Sequence, residues 1–255
     1  MDVNKKIGVF DSGLGGITVL NYLKDFYPNY DFIYLADSLN CPYGEKISQE
    51  IENLVTKNTL FLESLGVELV VIACNTASAN SSDVDRFTQI PIIRIIKPTA
   101  LAALKVTKTN NILVLATNLT IENKAYDKYL EGVNIYSVKG SRLVGVVESG
   151  LIDTKEADKV VFELLNSYQN KGIDTLILGC THFPLLKMSI KKVLKDVVLV
   201  DSFEPVRGEL EALIGKGEIG KGQKITLYTT GKLVDFEKQL GIFDLKNAII
   251  KEARI

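Results

Sequence analysis

Several features are scarce or missing in this 255-residue sequence, and each absence excludes a class of protein. No apolar run approaches the ~20 residues of a membrane span, and the N-terminus reaches Asp11 after only a short apolar stretch, so neither a span nor a signal peptide is expected. With 30 basic and 31 acidic residues, and no long basic run, the chain is not expected to bind nucleic acid or a membrane surface. These absences favour a cytoplasmic protein.

The residues of metal and cofactor chemistry are also missing. One histidine and three scattered cysteines cannot supply the usual ligand sets of a metal site. No lysine has the setting of a Schiff base to pyridoxal phosphate, and the G-x-S-x-G elbow of serine hydrolases is absent. An odd number of cysteines does not suggest a disulfide framework. We therefore predict an absence of metal and cofactor, and the cysteines need another explanation.

The sequence does contain short β-branched runs that alternate with segments of helical period. This rhythm predicts an α/β fold with mainly parallel sheets. The predicted strands are residues 7–10, 32–35, 69–73, 92–96, 112–115, 135–138, 175–178 and 197–200. The predicted helices are residues 17–26, 48–65, 80–89, 99–105, 121–131, 154–169 and 184–194.

An internal repeat is the most informative feature of the sequence. Residues 65–78 align without a gap on residues 171–184, which places Cys74 on Cys180, and residues 6–13 align on 111–118 at nearly the same offset. The alternative is a chance similarity between strands of α/β type.

The repeat predicts two pseudo-symmetric α/β domains. Their expected bounds are residues 1–97 with 209–255, and residues 98–208. Open α/β sheets bind ligands at the carboxyl ends of their strands, so the site is expected in the cleft between the domains, where the two cysteines would face each other.

Two of the three cysteines stand in matched settings. Cys74 and Cys180 each follow a predicted strand and precede hydrogen-bonding residues, a place where helix N-terminal amides favour a reactive thiol. The alternative is that both are small buried hydrophobic residues, the usual fate of a free cysteine. His182, the single histidine, lies two residues after Cys180 and suits an acid or base role. Cys41 has no such context and is expected to be an ordinary loop thiol.

Two loops that follow predicted strands also have functional candidates. Residues 11–16 form a glycine-rich loop, but the spacing is not that of a dinucleotide site, and the carboxylate of Asp11 suits assistance to a thiol or an ammonium group. Residues 42–44 predict a rigid turn whose amides could bind a substrate carboxylate. The alternative for this segment is a turn without function.

Four motifs together resemble those of glutamate racemases. They are VFDSGLGG, CPYG, ACNTASA and LGCTHFPLL, spread over residues 9–186. The aspartate racemase branch instead carries a histidine after CNT and has GCTE in place of GCTH. This chain has Ala77 and His182 at those places, so the resemblance is to the glutamate branch.

The resemblance implies an isomerase without cofactor that inverts Cα of glutamate with two opposed thiols, Cys74 and Cys180. It implies that Asp11 assists Cys74, and that His182, helped by Glu148, assists Cys180. It assigns substrate binding to a set of mostly polar residues: Asp11, Ser12, Tyr43, Gly44, Asn75, Thr76, Thr117, Thr120, Thr181 and His182. Glutamate would be the small-molecule partner, the D-glutamate would serve peptidoglycan synthesis, and the protein would form a homodimer.

The chain departs from the family pattern in three places. Lys97 stands where members typically carry glutamate, Asn123 where serine is common, and residues 139–141 where many have Ala-Cys-Pro. These changes bear on substrate affinity, dimer geometry and effector response, since none touches the thiols. Three alternatives remain at this point: an aspartate or broad-specificity racemase, a non-catalytic amino-acid-binding module, and a cysteine hydrolase with His182 as its base.

Overall fold

The chain divides into two compact units, each with its own sheet. A computed structural model describes residues 4–220, 222–245 and 247–255. One unit consists of the described residues up to Ile95 together with Val206–Ile255, and the other is Ile96–Pro205. Among the helices of the described residues, none combines the length and the apolar character needed to cross a membrane.

The described residues form ten strands. They are β1 (Lys5–Asp11), β2 (Tyr30–Ala36), β3 (Leu69–Ile72), β4 (Ile92–Arg94), β5 (Asn111–Ala116), β6 (Asn134–Lys139), β7 (Thr175–Gly179), β8 (Val198–Val200), β9 (Ile225–Thr229) and β10 (Ile249–Glu252). The first unit has the order β10-β9-β2-β1-β3-β4 and the second the order β6-β5-β7-β8, with every described pair parallel. The predicted α/β class with parallel sheets is confirmed.

Helices connect these strands, as parallel pairing requires. They are α1 (Ile17–Phe26), α2 (Ser48–Ser64), α3 (Asn75–Ala79), α4 (Ile96–Val106), α5 (Asn118–Glu122), α6 (Ser141–Glu148), α7 (Lys155–Leu165), α8 (Lys187–Val193), α9 (Phe203–Ile214) and α10 (Leu233–Leu240). The central strands β1 and β5 are buried along nearly their whole length. In the second unit, the apolar faces of α6, α7 and α8 pack into one core with β5 and β7.

Two predicted helices are wrong. Instead of a helix over 80–89, α3 ends at Ala79 and only a 3-10 turn follows at Val84–Arg86, because polar side chains there bind the backbone. Asn80 Nδ2 donates to the Thr76 carbonyl oxygen at 2.8 Å, and Ser81 Oγ donates to that of Ser78 at 3.1 Å.

The helix predicted over 121–131 also breaks early. The segment is interrupted after α5 because Lys124 adopts φ of 48°, in the left-handed region, and a 3-10 turn at Asp127–Tyr129 follows. The predicted strand at 92–96 likewise ends at Arg94, since Ile96 begins α4.

The structure confirms that the repeat is a repeat of fold. Ile7 pairs with Leu69 between β1 and β3, and the aligned residues Ile112 and Thr175 pair between β5 and β7. The order β2-β1-β3-β4 in one unit matches β6-β5-β7-β8 in the other. The aligned glycines, Gly66 and Gly172, both adopt positive φ, of 76° and 66°, which favours glycine at the turn into each cysteine strand. Chance similarity is therefore excluded as the explanation.

Candidate active site

In the first unit, three polar groups meet at the carboxyl end of the sheet. Asp11 ends β1 and Cys74 follows β3, and these strands are neighbours, with Phe10 opposite Ile72. Ser12 Oγ lies 3.2 Å from Asp11 Oδ1 and 3.5 Å from Cys74 Sγ. The Ser12 hydroxyl thus bridges the carboxylate and the thiol, and it offers a route for hydrogen bonding between them.

The sulfur of Cys74 also caps a helix. Cys74 is the N-cap residue of α3, and its Sγ accepts a hydrogen bond from the backbone N–H of Ala77 at 3.4 Å. The first amides of a helix stabilise negative charge, so this contact strengthens when the sulfur is ionised. Asn75 and Thr76, which form the first turn of α3, are buried beside the thiol.

The glycine-rich loop orients Asp11. The backbone N–H of Gly13 donates to Asp11 Oδ1 at 3.0 Å, so one amide of this loop already binds an anion that the chain itself supplies. A Cβ atom on Gly16 would lie 2.7 Å from Asp11 Cβ, which explains the glycine there. Tyr34 Oη donates to the Gly13 carbonyl oxygen at 2.6 Å, and this hydrogen bond fixes the loop to β2. Burial, and then the nearby charges of Asp11 and Cys74, raise the pKa of Tyr34 well above its ordinary value, so its hydroxyl remains a donor.

In the second unit, a histidine lies between a thiol and a carboxylate. Cys180 follows β7, and its Sγ is 3.6 Å from His182 Nδ1. His182 Nε2 is 3.4 Å from Oε1 of Glu148, the last residue of α6. Cys180 and His182 are buried, whereas the Glu148 side chain keeps 33% of its exposure. Such an arrangement lets an imidazole exchange a proton with a thiol while a carboxylate stabilises the imidazolium.

The expectation that Cys180 repeats the helix setting of Cys74 is wrong. The residues after Cys180 form a 3-10 turn at Phe183–Leu186, with Pro184 near its start, and α8 begins only at Lys187. The backbone N–H of Phe183 donates to the carbonyl oxygen of Cys180 at 3.1 Å, where Ala77 in the other unit donates to sulfur.

Tyr126 is a neighbour of Cys180 that the sequence analysis missed. Its ring is fully buried, and burial, followed by the charge of Cys180, raises its pKa. A Cβ atom on Gly179 would lie 3.1 Å from the Tyr126 ring and 2.9 Å from Ala116 Cβ, so glycine before the cysteine permits this close packing. No motif pointed to Tyr126, because an isolated tyrosine in a loop resembles any core residue.

The remaining predicted binding residues lie in segments that follow strands of the two sheets. In the second unit, Thr181 is buried between Cys180 and His182, and the hydroxyls of Thr117 and Thr120 are 2.8 Å apart at the start of α5. In the first unit, Tyr43 is buried, and its hydroxyl donates to Asp37 Oδ2 at 2.6 Å. Gly44, the next residue in the same turn, is partly exposed.

All three cysteines are free thiols. Within the part of the chain that the structure describes, no three His, Cys, Asp or Glu side chains cluster as a metal site would require.

Comparison with known proteins identifies the family. A family model described as Asp/Glu/Hydantoin racemase matches residues 32–204. A glutamate racemase from Aquifex aeolicus (strain VF5) is 39% identical over 236 residues, which cover 91% of this chain and 91% of that protein.

Solved structures agree with this result. The crystal structure of a glutamate racemase isoform from Bacillus anthracis matches with a TM-score of 0.90 at 34% identity, covering 98% of both chains. Glutamate racemase from Francisella tularensis subsp. tularensis SCHU S4, solved in complex with D-glutamate, matches with a TM-score of 0.89 at 31% identity, again over 98% of both chains. The resemblance stated from the motifs is confirmed, and this chain belongs to the Asp/Glu/Hydantoin racemase family.

Proposed function

We propose that this protein is a cofactor-independent glutamate racemase, in which Cys74 and Cys180 exchange protons with opposite faces of the substrate Cα. One observation carries the proposal: the repeat supplies two buried thiols at aligned positions, each with its own proton-handling neighbours. Relatives named glutamate racemase, one of them described with D-glutamate, support glutamate as the substrate.

The reaction needs a base on one face of Cα and an acid on the other. Starting from L-glutamate, the Cys180 thiolate removes the Cα proton and becomes a thiol, and the Cys74 thiol delivers its own proton to the opposite face and becomes a thiolate. The product is D-glutamate, and the total number of protons is unchanged. The enzyme is then in the form that accepts D-glutamate, so the reverse reaction uses the same groups in opposite roles.

The neighbouring residues keep each thiol in its working protonation state. His182, with Glu148 3.4 Å from its Nε2, exchanges protons with Cys180, and Asp11 acts on Cys74 with the Ser12 hydroxyl between them. The carbanion formed at Cα has no pyridoxal ring to delocalise its charge, so hydrogen-bond donors must stabilise it. We assign this role and substrate binding to the side chains of Ser12, Asn75, Thr76, Thr117, Thr120 and Thr181, together with the backbone N–H groups of the Tyr43–Gly44 turn.

Isotope incorporation tests this mechanism directly. When protiated L-glutamate is converted in D₂O, the D-glutamate product should carry deuterium at Cα from the first turnover, because the Cys74 thiol has exchanged with solvent. The L-glutamate recovered early should stay largely protiated. Mass spectrometry of the separated enantiomers makes the measurement. Early D-glutamate rich in protium would mean that a single base serves both faces, and absence of any racemisation would end the proposal.

We further propose the finer context that the family resemblance implies. The enzyme would act in the cytoplasm as a homodimer and supply D-glutamate for peptidoglycan synthesis. The three free thiols suit a reducing compartment. Sedimentation velocity with and without glutamate would measure the oligomeric state, and depletion in a bacterial host would test whether the cell wall requires the product.

A further inference from the structure

Asp37 is a buried carboxylate that the proposed mechanism leaves without a role. It directly follows β2, as Asp11 ends β1, and it retains only 1% of its exposure. Its backbone N–H donates to the carbonyl oxygen of Asp11 at 3.0 Å, so the two acidic residues stand on neighbouring strand ends. Burying a carboxylate is costly unless hydrogen bonds replace its water, and the position of this one requires an explanation.

Four side chains donate to this carboxylate, and they come from four different segments. Oδ2 accepts from Tyr43 Oη at 2.6 Å and from Asn58 Nδ2 at 3.1 Å. Oδ1 accepts from Thr230 Oγ1 at 2.8 Å, and Asn40 Nδ2 lies 2.9 and 3.2 Å from the two oxygens. Asn58 lies on α2 and Thr230 follows β9. The carboxylate therefore ties a helix and a distant C-terminal loop to the turn that contains Tyr43.

The hydroxyl of Tyr43 is fully used inside this cluster. It donates its proton to Asp37 Oδ2 and accepts a hydrogen bond from Asn58 Nδ2 at 3.0 Å, which closes a triangle of three side chains. Burial, and then the charge of Asp37, raise the pKa of Tyr43, so the proton stays on the phenol. The Tyr43 hydroxyl therefore has no second proton to give a substrate, and its hydrogen bonds serve to fix the turn.

We propose that Asp37 is a positioning residue, which acts through Tyr43 and Asn58 to hold the Tyr43–Gly44 turn in the place where it binds glutamate. The assignment rests on the proposed function for its catalytic consequence, since that function makes the turn part of the substrate site. It gives Asp37 a role in substrate affinity and none in proton transfer. It also explains why Tyr43 is a tyrosine: a phenylalanine would fill the same space but could not anchor the turn.

The kinetic test compares Asp37→Asn with Asp174→Asn. Asp174 is the matched control because its carboxylate also accepts hydrogen bonds from several protein groups, among them Thr107 and the backbone N–H of Thr109, but lies in the other unit. Loss of a charge-assisted hydrogen bond should raise KM for both enantiomers about tenfold in Asp37→Asn, with kcat within about twofold. Asp174→Asn should leave both constants unchanged.

Tyr43→Phe provides the second variant, which preserves packing and removes only the hydroxyl. Its KM should rise by a similar factor. The KM of the double variant Asp37→Asn/Tyr43→Phe should not exceed that of the single variant with the higher KM, because both substitutions disrupt the same hydrogen bond. Additive effects on KM would show that Asp37 does not act through Tyr43. Should Asp37→Asn fail to fold, Tyr43→Phe alone must raise KM, or the proposal is wrong.

Hydrogen exchange separates this inference from the proposed function. Peptides covering residues 38–47 should exchange their amides at least about fivefold faster in Asp37→Asn and in Tyr43→Phe than in Asp174→Asn, because the turn has lost its anchor. This measurement needs no substrate. If the wild-type protein fails to racemise glutamate but the turn loosens as expected, the proposed function is wrong and Asp37 still positions the turn. Unchanged exchange in both variants overturns the inference.

Discussion

Cys74 and Cys180 follow equivalent strands of the two units, but different groups contact their sulfur atoms. Cys74 is approached by the Ser12 hydroxyl and by the N–H of Ala77, whereas Cys180 is approached by the imidazole of His182. Each sulfur nevertheless follows the same strand of the same four-strand arrangement. The repeat thus places a thiol after the same strand of each unit, while the groups that contact the two sulfur atoms are not repeated.

The carboxylate near each thiol comes from a different element of its unit. In the alignment of the repeat, Asp11 at the end of β1 corresponds to Ala116 at the end of β5, so the second unit has no acid at that place. Its carboxylate is that of Glu148 at the end of α6, which lies 3.4 Å from His182 Nε2. A hydroxyl therefore lies between the carboxylate and the thiol in the first unit, and an imidazole lies between them in the second.

The largest effect should come from removing either thiol. Cys74→Ala and Cys180→Ala should each reduce net racemisation by about 10³-fold or more, because one face of Cα loses its proton donor. Cys41→Ser is the matched control and should retain wild-type activity. Circular dichroism at a fixed wavelength follows both enantiomers. Normal racemisation in Cys74→Ala would contradict the two-thiol assignment.

The next largest effect should come from substituting the proposed helper of each thiol, His182 for Cys180 and Asp11 for Cys74. His182→Asn should lower kcat from L-glutamate by about 10²-fold, because it impairs the thiol that acts on the L face, and Asp11→Asn should lower kcat most from D-glutamate. Since the equilibrium constant between enantiomers is one, kcat/KM must stay equal in both directions, so the asymmetry can appear only in kcat and KM separately. Initial rates from each pure enantiomer provide the data. Equal losses of kcat in both directions, for both variants, would show that neither residue serves one face.

The smallest effect concerns stability at an aligned pair away from the thiols. Asp174 and Glu68 occupy corresponding places before β7 and β3, but Asp174 accepts several hydrogen bonds while Glu68 forms an exposed ion pair with Lys5 at 3.2 Å. Although burial opposes it, hydrogen bonds from Thr107, Lys108, Thr109 and Thr175 hold the pKa of Asp174 well below its usual range. Asp174→Asn should therefore lower the free energy of unfolding by about 1 kcal/mol near neutral pH, a figure reduced for solvent screening.

The stability difference between wild type and Asp174→Asn should depend on pH. A carboxyl group with a lowered pKa in the folded state stabilises the protein above its unfolded pKa of about 3.9 and loses this contribution as the pH falls. The gap in urea stability between wild type and Asp174→Asn should hence be full at pH 7 and shrink below about pH 4. Glu68→Gln should change stability little at any pH. A gap that stays constant down to pH 2.5 would contradict the assignment.

The sequence predicted the eight strands of the repeat because each is a short run of apolar residues between polar loops. It missed β9, in which only Leu227 and Thr229 are buried, and β10, in which no residue is buried, because neither strand is a continuous apolar run. Its helices over 80–89 and 121–131 were wrong, because side-chain hydrogen bonds to the backbone and a left-handed residue interrupt helical structure there. The division into domains at residues 1–97 with 209–255 and 98–208, and the roles of the site residues, stay predictions for proteolysis and kinetics to test.

By itself, the sequence determined the α/β class, the repeat, the family and the pairing of a thiol with each half, because all of these are written in local patterns that recur about 105 residues apart. Only the tertiary structure decided which groups touch each thiol. Ser12 next to Cys74 and Glu148 behind His182 depend on strand register and on where α6 ends. Asp37 with its four donors was likewise invisible, since contacts between residues as distant as 37 and 230 arise from packing and leave no periodic signal in the chain.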